Sequence, residues 1–282
     1  MTTISVPVIL KVTIIANEIS SSQLKTQSSI MTIHLRTWGD LACFTRPEMK
    51  VERVSYPVIT PSAARGLLES ILYKPQFRWG IQRVAIKKAI RFLSFRRNEI
   101  KKTLPEASAK RWMRGAPVEP FFAENEHTPR NTLALQDVEY VIEASMHLTP
   151  LAGLPRRKPA DDEDDGEDTP VKYLAMFQRR AEKGQCFAQP CFGCREFPAH
   201  FELADESAMC VEPNPNADTD LGLMLYDVFN LDVSRDQKPG KVEAKPQVTL
   251  FRAALKDGVL VEEGKKTLPD WSTVKTQLGG FQ

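Results

Sequence analysis

The sequence predicts an α+β fold, and two observations carry that prediction. Two Thr-Pro pairs, Thr60-Pro61 and Thr169-Pro170, each precede a stretch of helical apolar spacing, with Thr as N-cap and Pro as the first helical residue. Around both helices lie segments in which polar and apolar residues alternate, the period of a strand. With the basic segment 89–130 set aside, the order is β, α, β, β, α, β, which is the ferredoxin-like split unit.

The elements follow in order. Residues 1–30 end in Ser20-Ser21-Ser22 and Ser28-Ser29-Ile30 ahead of a second methionine, Met31. They read as an appendage, or as a translation start placed too early. Thr32 to Trp38 alternates through Ile33 and Leu35 and reads as a strand. The first helix opens at Thr60-Pro61, carries Ala64, Leu67, Leu68, Ile71 and Leu72 on one stripe, and stops before Lys74-Pro75. Gln76 to Lys88 and Thr132 to Leu148 read as strands. The second helix runs from Thr169-Pro170 through Lys172 to Gly184, a natural C-terminal stop. Cys194 to Leu203 is again strand-like. Residues 31–205 therefore form the ferredoxin-like domain. Residues 206–282, with strand-like runs at Leu221–Val233 and Gln247–Val261, form a small antiparallel β-rich C-terminal extension.

The 282 residues carry 38 Lys and Arg against 36 Asp and Glu, a net charge of +2, but the charge is unevenly laid. From Lys74 to Arg114 there are thirteen basic residues and only two acids, Glu99 and Glu106. Phe77, Trp79, Phe92, Phe95 and Trp112 are interleaved with them. Phosphates meet Arg and Lys, and unpaired bases stack on rings, so this segment suits single-stranded nucleic acid. Seven acids cluster between Asp161 and Asp168, flanked by prolines, and read as an exposed loop. Five cysteines, an odd number at low density, argue against a disulfide scaffold. No apolar run reaches the ~20 residues that span a bilayer. A reduced cytoplasmic protein without membrane association is the expectation.

Cys186, Cys191, Cys194 and His200 include one C-x2-C pair, but neither Cys43 nor Cys210 supplies the second pair of a zinc site. Buried free thiols are expected, and a zinc-stabilised nucleic-acid binder is the alternative that metal analysis would test. No nucleotide-binding glycine loop, nucleophile elbow or H-E-x-x-H motif occurs. The helix faces are more informative. Tyr73 ends the polar face of the first helix, beside Lys74. The second helix begins with Lys172 and Tyr173 and continues to Arg179 and Arg180, and its N-terminus adds partial positive charge. Tyr and Lys side chains next to a basic aromatic segment suit metal-free RNA cleavage. Such cleavage needs a base for the ribose 2′-hydroxyl, a cation for the phosphorane and an acid for the leaving oxygen.

Specific residues then carry a resemblance. Phe44-Thr45-Arg46-Pro47-Glu48-x-Lys50-Val51-Glu52-Arg53-x-Ser55-Tyr56 is the first motif and Thr60-Pro61-Ser62-Ala63-Ala64-Arg65-Gly66 the second. With Lys183-Gly184-Gln185-Cys186-Phe187 and Gly193-Cys194-Arg195-Glu196-Phe197, they resemble the type I-C CRISPR-associated "Cas five" proteins of subtype d. That family belongs to the RAMP superfamily, and the resemblance spans about residues 31–260. It implies a ferredoxin-like, RRM-like RAMP domain and an endoribonuclease that cuts the CRISPR repeat in pre-crRNA. Cutting would need no cofactor and would leave a 2′,3′-cyclic phosphate. The protein would then hold the crRNA 5′ handle in a surveillance complex with backbone and large subunits, with weak DNA binding as a further expectation. A non-catalytic subunit that only clamps the handle is the competing reading.

Family members use a Tyr at the end of the first helix and a Lys-His pair at the start of the second. Here the Lys falls on Lys172 and the His position holds Tyr173. The Tyr position falls on Leu72, but the amphipathic pattern turns Leu72 inward and Tyr73 outward, making Tyr73 the candidate. Tyrosine, with a reference pKa near ~10, is a poor base at neutral pH unless a neighbour lowers it. The expected RNA-binding residues are Arg46, Lys50, Arg53, Arg65, Lys74, Arg78, Arg83, Lys87, Arg179, Arg180 and Arg195.

Overall fold

The computed structural model describes residues 32–101, 104–118, 120, 122–153, 167–212, 216–229 and 247–270. The expected appendage at 1–30 and residues 161–166 of the acidic run lie outside them. In chain order the elements are β1 (Thr32–Ala42), β2 (Arg53–Val54), α1 (Pro61–Ile71), β3 (Phe77–Ile86), β4 (Phe92–Ile100), α2 (Glu106–Met113), β5 (His127–Leu148), α3 (Pro170–Glu182), β6 (His200–Ala204), β7 (Thr219–Phe229), β8 (Gln247–Lys256) and β9 (Val259–Glu262). Short 3-10 turns intervene.

The sheet runs β6-β1-β5-β3 and continues through β9-β8-β7. Its first four strands pair antiparallel in the fourth-first-third-second order of the ferredoxin-like unit. Both helix starts form as the sequence predicts. The Thr60 hydroxyl accepts the Ala63 amide at 3.2 Å, and the Thr169 hydroxyl accepts the Lys172 amide at 3.3 Å. Ala64, Leu67, Leu68 and Ile71 of α1, with Leu174, Phe177 and Ala181 of α3, bury against Ile33, Leu35, Trp79, Ile142 and Ala144 of one sheet face. Trp79 meets Phe177 edge-on at 4.8 Å. Each fully buried Leu, Ile or Phe contributes roughly 1.5–3 kcal/mol, so this layer fixes where both helices begin and end. Among the described residues no helix is long and apolar enough to cross a membrane.

The strands beyond residue 206 prolong the same sheet, because β9 pairs with β3 at Val84–Leu260 and Ala85–Val259. One strand-rich run resolves into two strands, and two strand expectations need correction. The run Gln247–Val261 is a hairpin, broken by Asp257 and Gly258 at φ 50° and 74°, the positive values a tight two-residue turn requires. The run Cys194–Leu203 becomes strand only at His200, since the preceding residues close a turn through a bridge between Cys191 and Pro198. Finally, β5 starts at His127 rather than Thr132, and its first half pairs with β4 inside the basic segment that the sequence left aside. That half and β4 form an arm. Where arm and central sheet meet, Asp137 takes φ 55°, and Lys88 and Arg91 hold its carboxylate at 2.5 and 2.6 Å. The register of β5 against β1 is the same on both sides of Asp137.

Candidate active site and RNA interface

Sheet topology brings the end of α1 and the start of α3 together. The chain leaves α1 and enters β3 through residues 73–76, while β5 ends beside them, with Leu148 paired to Phe77. Thr149 locks the two connections: its amide donates to the Gln76 carbonyl at 2.8 Å and its hydroxyl to the Pro75 carbonyl at 2.7 Å. The chain then returns to open α3. Asp168, just ahead of its N-cap, accepts the Gly153 amide at 3.0 Å.

At this end of the sheet Leu72 is buried and Tyr73 is half exposed, the inward and outward placement that the helix pattern predicts. Lys172 lies in the first turn of α3, partly buried, where backbone amides and helix dipole favour an anion. Tyr173 faces the other way. It is 1% exposed, its ring lies 5.0 Å from that of Phe77, and its hydroxyl donates to the Asp168 carboxylate. One helical step separates Lys172 from Tyr173, about 100°, and that step takes the second side chain into the core. Tyr73 and Lys172 thus share the surface of this end, while Tyr173 supports it from below.

The expected RNA-binding cations divide sharply. Arg65, on α1, donates to the buried Asp227 of β7 and lies 3.3 Å from Glu69. Arg78 is 3.9 Å from Glu69, and Arg83 is bound to Glu143 with Glu206 at 4.0 Å. Lys87 donates to the carbonyls of Ala208 and Cys210. Arg53 reaches Glu99 at 3.2 Å and Glu196 at 3.6 Å. Arg46 sits 5.1 Å over the Tyr56 ring and 4.0 Å from Glu48. Lys50, Arg179 and Arg195 are exposed, and Lys74 and Arg180 partly so. Burial pushes the Asp227 carboxyl above the usual aspartate range, and Arg65 only partly offsets it.

Sequence reasoning missed the acids that hold these cations. Asp227 was visible as one charge within the apolar run Leu223–Phe229, and Asp168 as the last acid before the Thr169 cap. It counted the cations of the arm and α2 in the basic segment without singling them out as binding residues. Arg96 and Lys101 on β4 and its end face solvent, and Lys110, Arg111 and Arg114 line a shallow depression at the end of α2. Among the described residues no group of three or more His, Cys, Asp or Glu is arranged to hold a metal ion.

Comparison with known proteins agrees with this architecture. A crystal structure of a CRISPR-associated protein matches 84% of this chain and 95% of its own, with a TM-score of 0.52 at 19% identity, a likeness of fold. The pre-crRNA endoribonuclease Cas5d of Mannheimia succiniciproducens is 43% identical over 237 residues, covering 81% of this chain and 93% of the relative. The Cas5d of Thermus thermophilus, of the same name, is 38% identical over 241 residues, covering 83% and 92%. The Cas_Cas5d family of CRISPR-associated proteins matches residues 32–261, from the first strand of the sheet to its last, and the chain belongs to that family.

Proposed function

We propose that this protein is a CRISPR repeat-specific endoribonuclease that processes pre-crRNA, then remains in a type I-C surveillance complex holding the crRNA 5′ handle. The observation that carries the reading is the sheet topology, which sets Tyr73, just past α1, and Lys172, in the first turn of α3, at the same end of the sheet, in a chain whose relatives bear the name pre-crRNA endoribonuclease. In the reaction a ribose 2′-oxygen attacks the adjacent phosphorus as the bond to the 5′-oxygen breaks. The products are a 2′,3′-cyclic phosphate and a 5′-hydroxyl, with no metal ion required. Lys172 meets the charge that grows on the phosphoryl oxygens, aided by the amides of the first turn of α3. Tyr73, half exposed, serves best as proton donor to the departing oxygen. Tyr173 acts as a positioning residue: through Asp168 it ties the start of α3 to the loop after β5.

Single-turnover cleavage of the cognate repeat RNA in EDTA tests the reading. Lys172→Ala is expected to slow cleavage by about 10²–10³ while changing affinity little. Equal rates for wild type and variant would remove Lys172 from the mechanism. The burial of Tyr173 at the position where the family resemblance implies a histidine favours a second reading, a subunit that binds the handle without cutting. A wild-type protein that binds repeat RNA tightly and leaves it whole would establish that reading.

A further inference from the structure

The loop between α3 and β6 packs backbone to backbone on the end of β1. The Cys43 amide donates to the Phe192 carbonyl at 3.0 Å. Gly193, at φ 81°, stands so close that a Cβ there would lie 2.1 Å from the Cys43 carbonyl oxygen. Only glycine permits both the conformation and the approach. The contact brings the buried Cys43 beside the buried Cys194, and each thiol acts on the ionisation of the other. The Arg53 guanidinium donates to Cys194 Sγ at 3.2 Å. Cys43 Sγ has Thr45 Oγ1 on its other side at 3.5 Å.

The guanidinium aimed at the Cys194 sulfur favours negative charge there rather than on Cys43. Hydrogen bonding from Cys43, then from Arg53, pulls the Cys194 thiol down to about 6 against the opposing effect of burial. The same hydrogen bond, together with burial, pushes Cys43 up. A thiolate held against a protonated thiol is the arrangement that thiol-disulfide chemistry uses. No step of RNA cleavage calls for it.

We propose that Cys43 and Cys194 are a redox-active dithiol that closes to an intramolecular disulfide on exposure to hydrogen peroxide. The Cys194 thiolate attacks one peroxide oxygen; the O–O bond breaks, hydroxide leaves and Cys194 becomes a sulfenic acid. The Cys43 sulfur then displaces that hydroxyl. The S–S bond forms, the S–O bond breaks, and the Cys43 proton departs with the hydroxyl as water. The first hydroxide takes up the proton that Cys194 had already lost, so two electrons pass to peroxide and two waters form. The backbone contact of Cys43 with Phe192 and Gly193 already holds the two segments side by side, so the ~2.05 Å bond closes between neighbouring strands of chain. Closure removes the thiolate from Arg53 and leaves that guanidinium to Glu99 and Glu196, at 3.2 and 3.6 Å.

The test treats the full-length chain with hydrogen peroxide, alkylates remaining thiols under denaturing conditions and maps the peptides by mass. Access alone would direct oxidation to the exposed Cys210, and then to the half-buried Cys186 and Cys191. The proposal instead requires a linked Cys43–Cys194 peptide, about 2 Da below the sum of its parts, as the first product. Its rate of formation should climb as pH rises through about 6, where Cys194 ionises. Cys194→Ser and Cys43→Ser should each abolish the link, but the wild-type map decides the question whether or not those variants fold. Full alkylation of both cysteines after treatment, or pairing of Cys194 with Cys191, overturns the proposal.

Discussion

The cations of the central sheet and those of the arm look alike in sequence and differ in what the fold does with them. Arg65, Arg78, Arg83 and Lys87 are bound to Asp227, Glu69, Glu143 and backbone carbonyls. Arg96, Arg111 and Arg114, within the basic run Lys74–Arg114, stand exposed on β4 and at the end of α2. A count of charges along a chain measures supply. The charge offered to a polyanion is what remains after the fold has used its share, and the exposed Arg96, Lys101, Arg111 and Arg114 belong to that remainder.

The largest expected effect tests the buried side of that contrast. Arg65→Met leaves Asp227 buried without its partner and should cost about 3–5 kcal/mol in urea unfolding. The double variant Arg65→Met, Asp227→Leu should recover most of the loss. A loss under ~1 kcal/mol for the single variant would mean that the seam between α1 and β7 is held by packing alone.

Next in size is the binding contrast. Replacing Arg96, Arg111 and Arg114 by Glu should weaken repeat-RNA binding and reduce the slope of log affinity against log salt by about 2. Replacing Arg78, Arg83 and Lys87 by Gln should leave that slope nearly unchanged, with stability lower by about 0.2–1 kcal/mol per ion pair. If the second set flattens the slope and the first does not, the ion pairs open on binding and the contrast is reversed.

A pH series sharpens the buried side. The Asp227 carboxyl is raised by burial above the usual aspartate value of 3.8, so the folded protein holds its proton more tightly than the unfolded chain does. Its contribution to stability is therefore full at and below that usual value and is lost as pH rises through the shifted one. Asp227→Asn should remove that decline from the urea midpoint. A profile identical to wild type would show that Asp227 ionises normally.

The smallest effect separates two tyrosines. Tyr173→Phe deletes a hydroxyl bonded to Asp168 and should cost about 1 kcal/mol of stability. Tyr73→Phe, at an exposed position, should leave stability unchanged and act only on cleavage rate. Thermal midpoints and single-turnover rates for the pair provide the measurement; a reversed pattern would exchange the two roles.

What the sequence made legible was local. The Thr-Pro caps and the stripes on α1 and α3 are written within a dozen residues, and they placed both helices and the outward Tyr73. What it hid depends on distant partners. Nothing near Arg65 announces Asp227, 162 positions away, and nothing near Arg83 announces Glu143, 60 away. Tyr173 defeated the reading for another reason. Thr169 caps whichever face follows, and only the ring of Phe77 on β3 and the carboxylate of Asp168 draw this side chain inward. The arm was missed because its strand is half of one longer than the polar-apolar pattern suggested.

That strand constrains how the family's members can vary in length. β5 keeps one register against β1 across Asp137, from Ala42–Leu135 to Thr32–Ser145, so the alternation of faces in the arm and at the active-site end is counted from a common origin. A single residue inserted between Asp137 and Ala144 would turn Ser145 and His147 toward the helices and carry Ala144 and Met146 to the opposite face, where Ser145 is now fully buried. Two residues would restore the faces. Lineages of this protein should therefore gain or lose residues freely at the free end of the arm, and in even steps along the strand that joins it to Thr149.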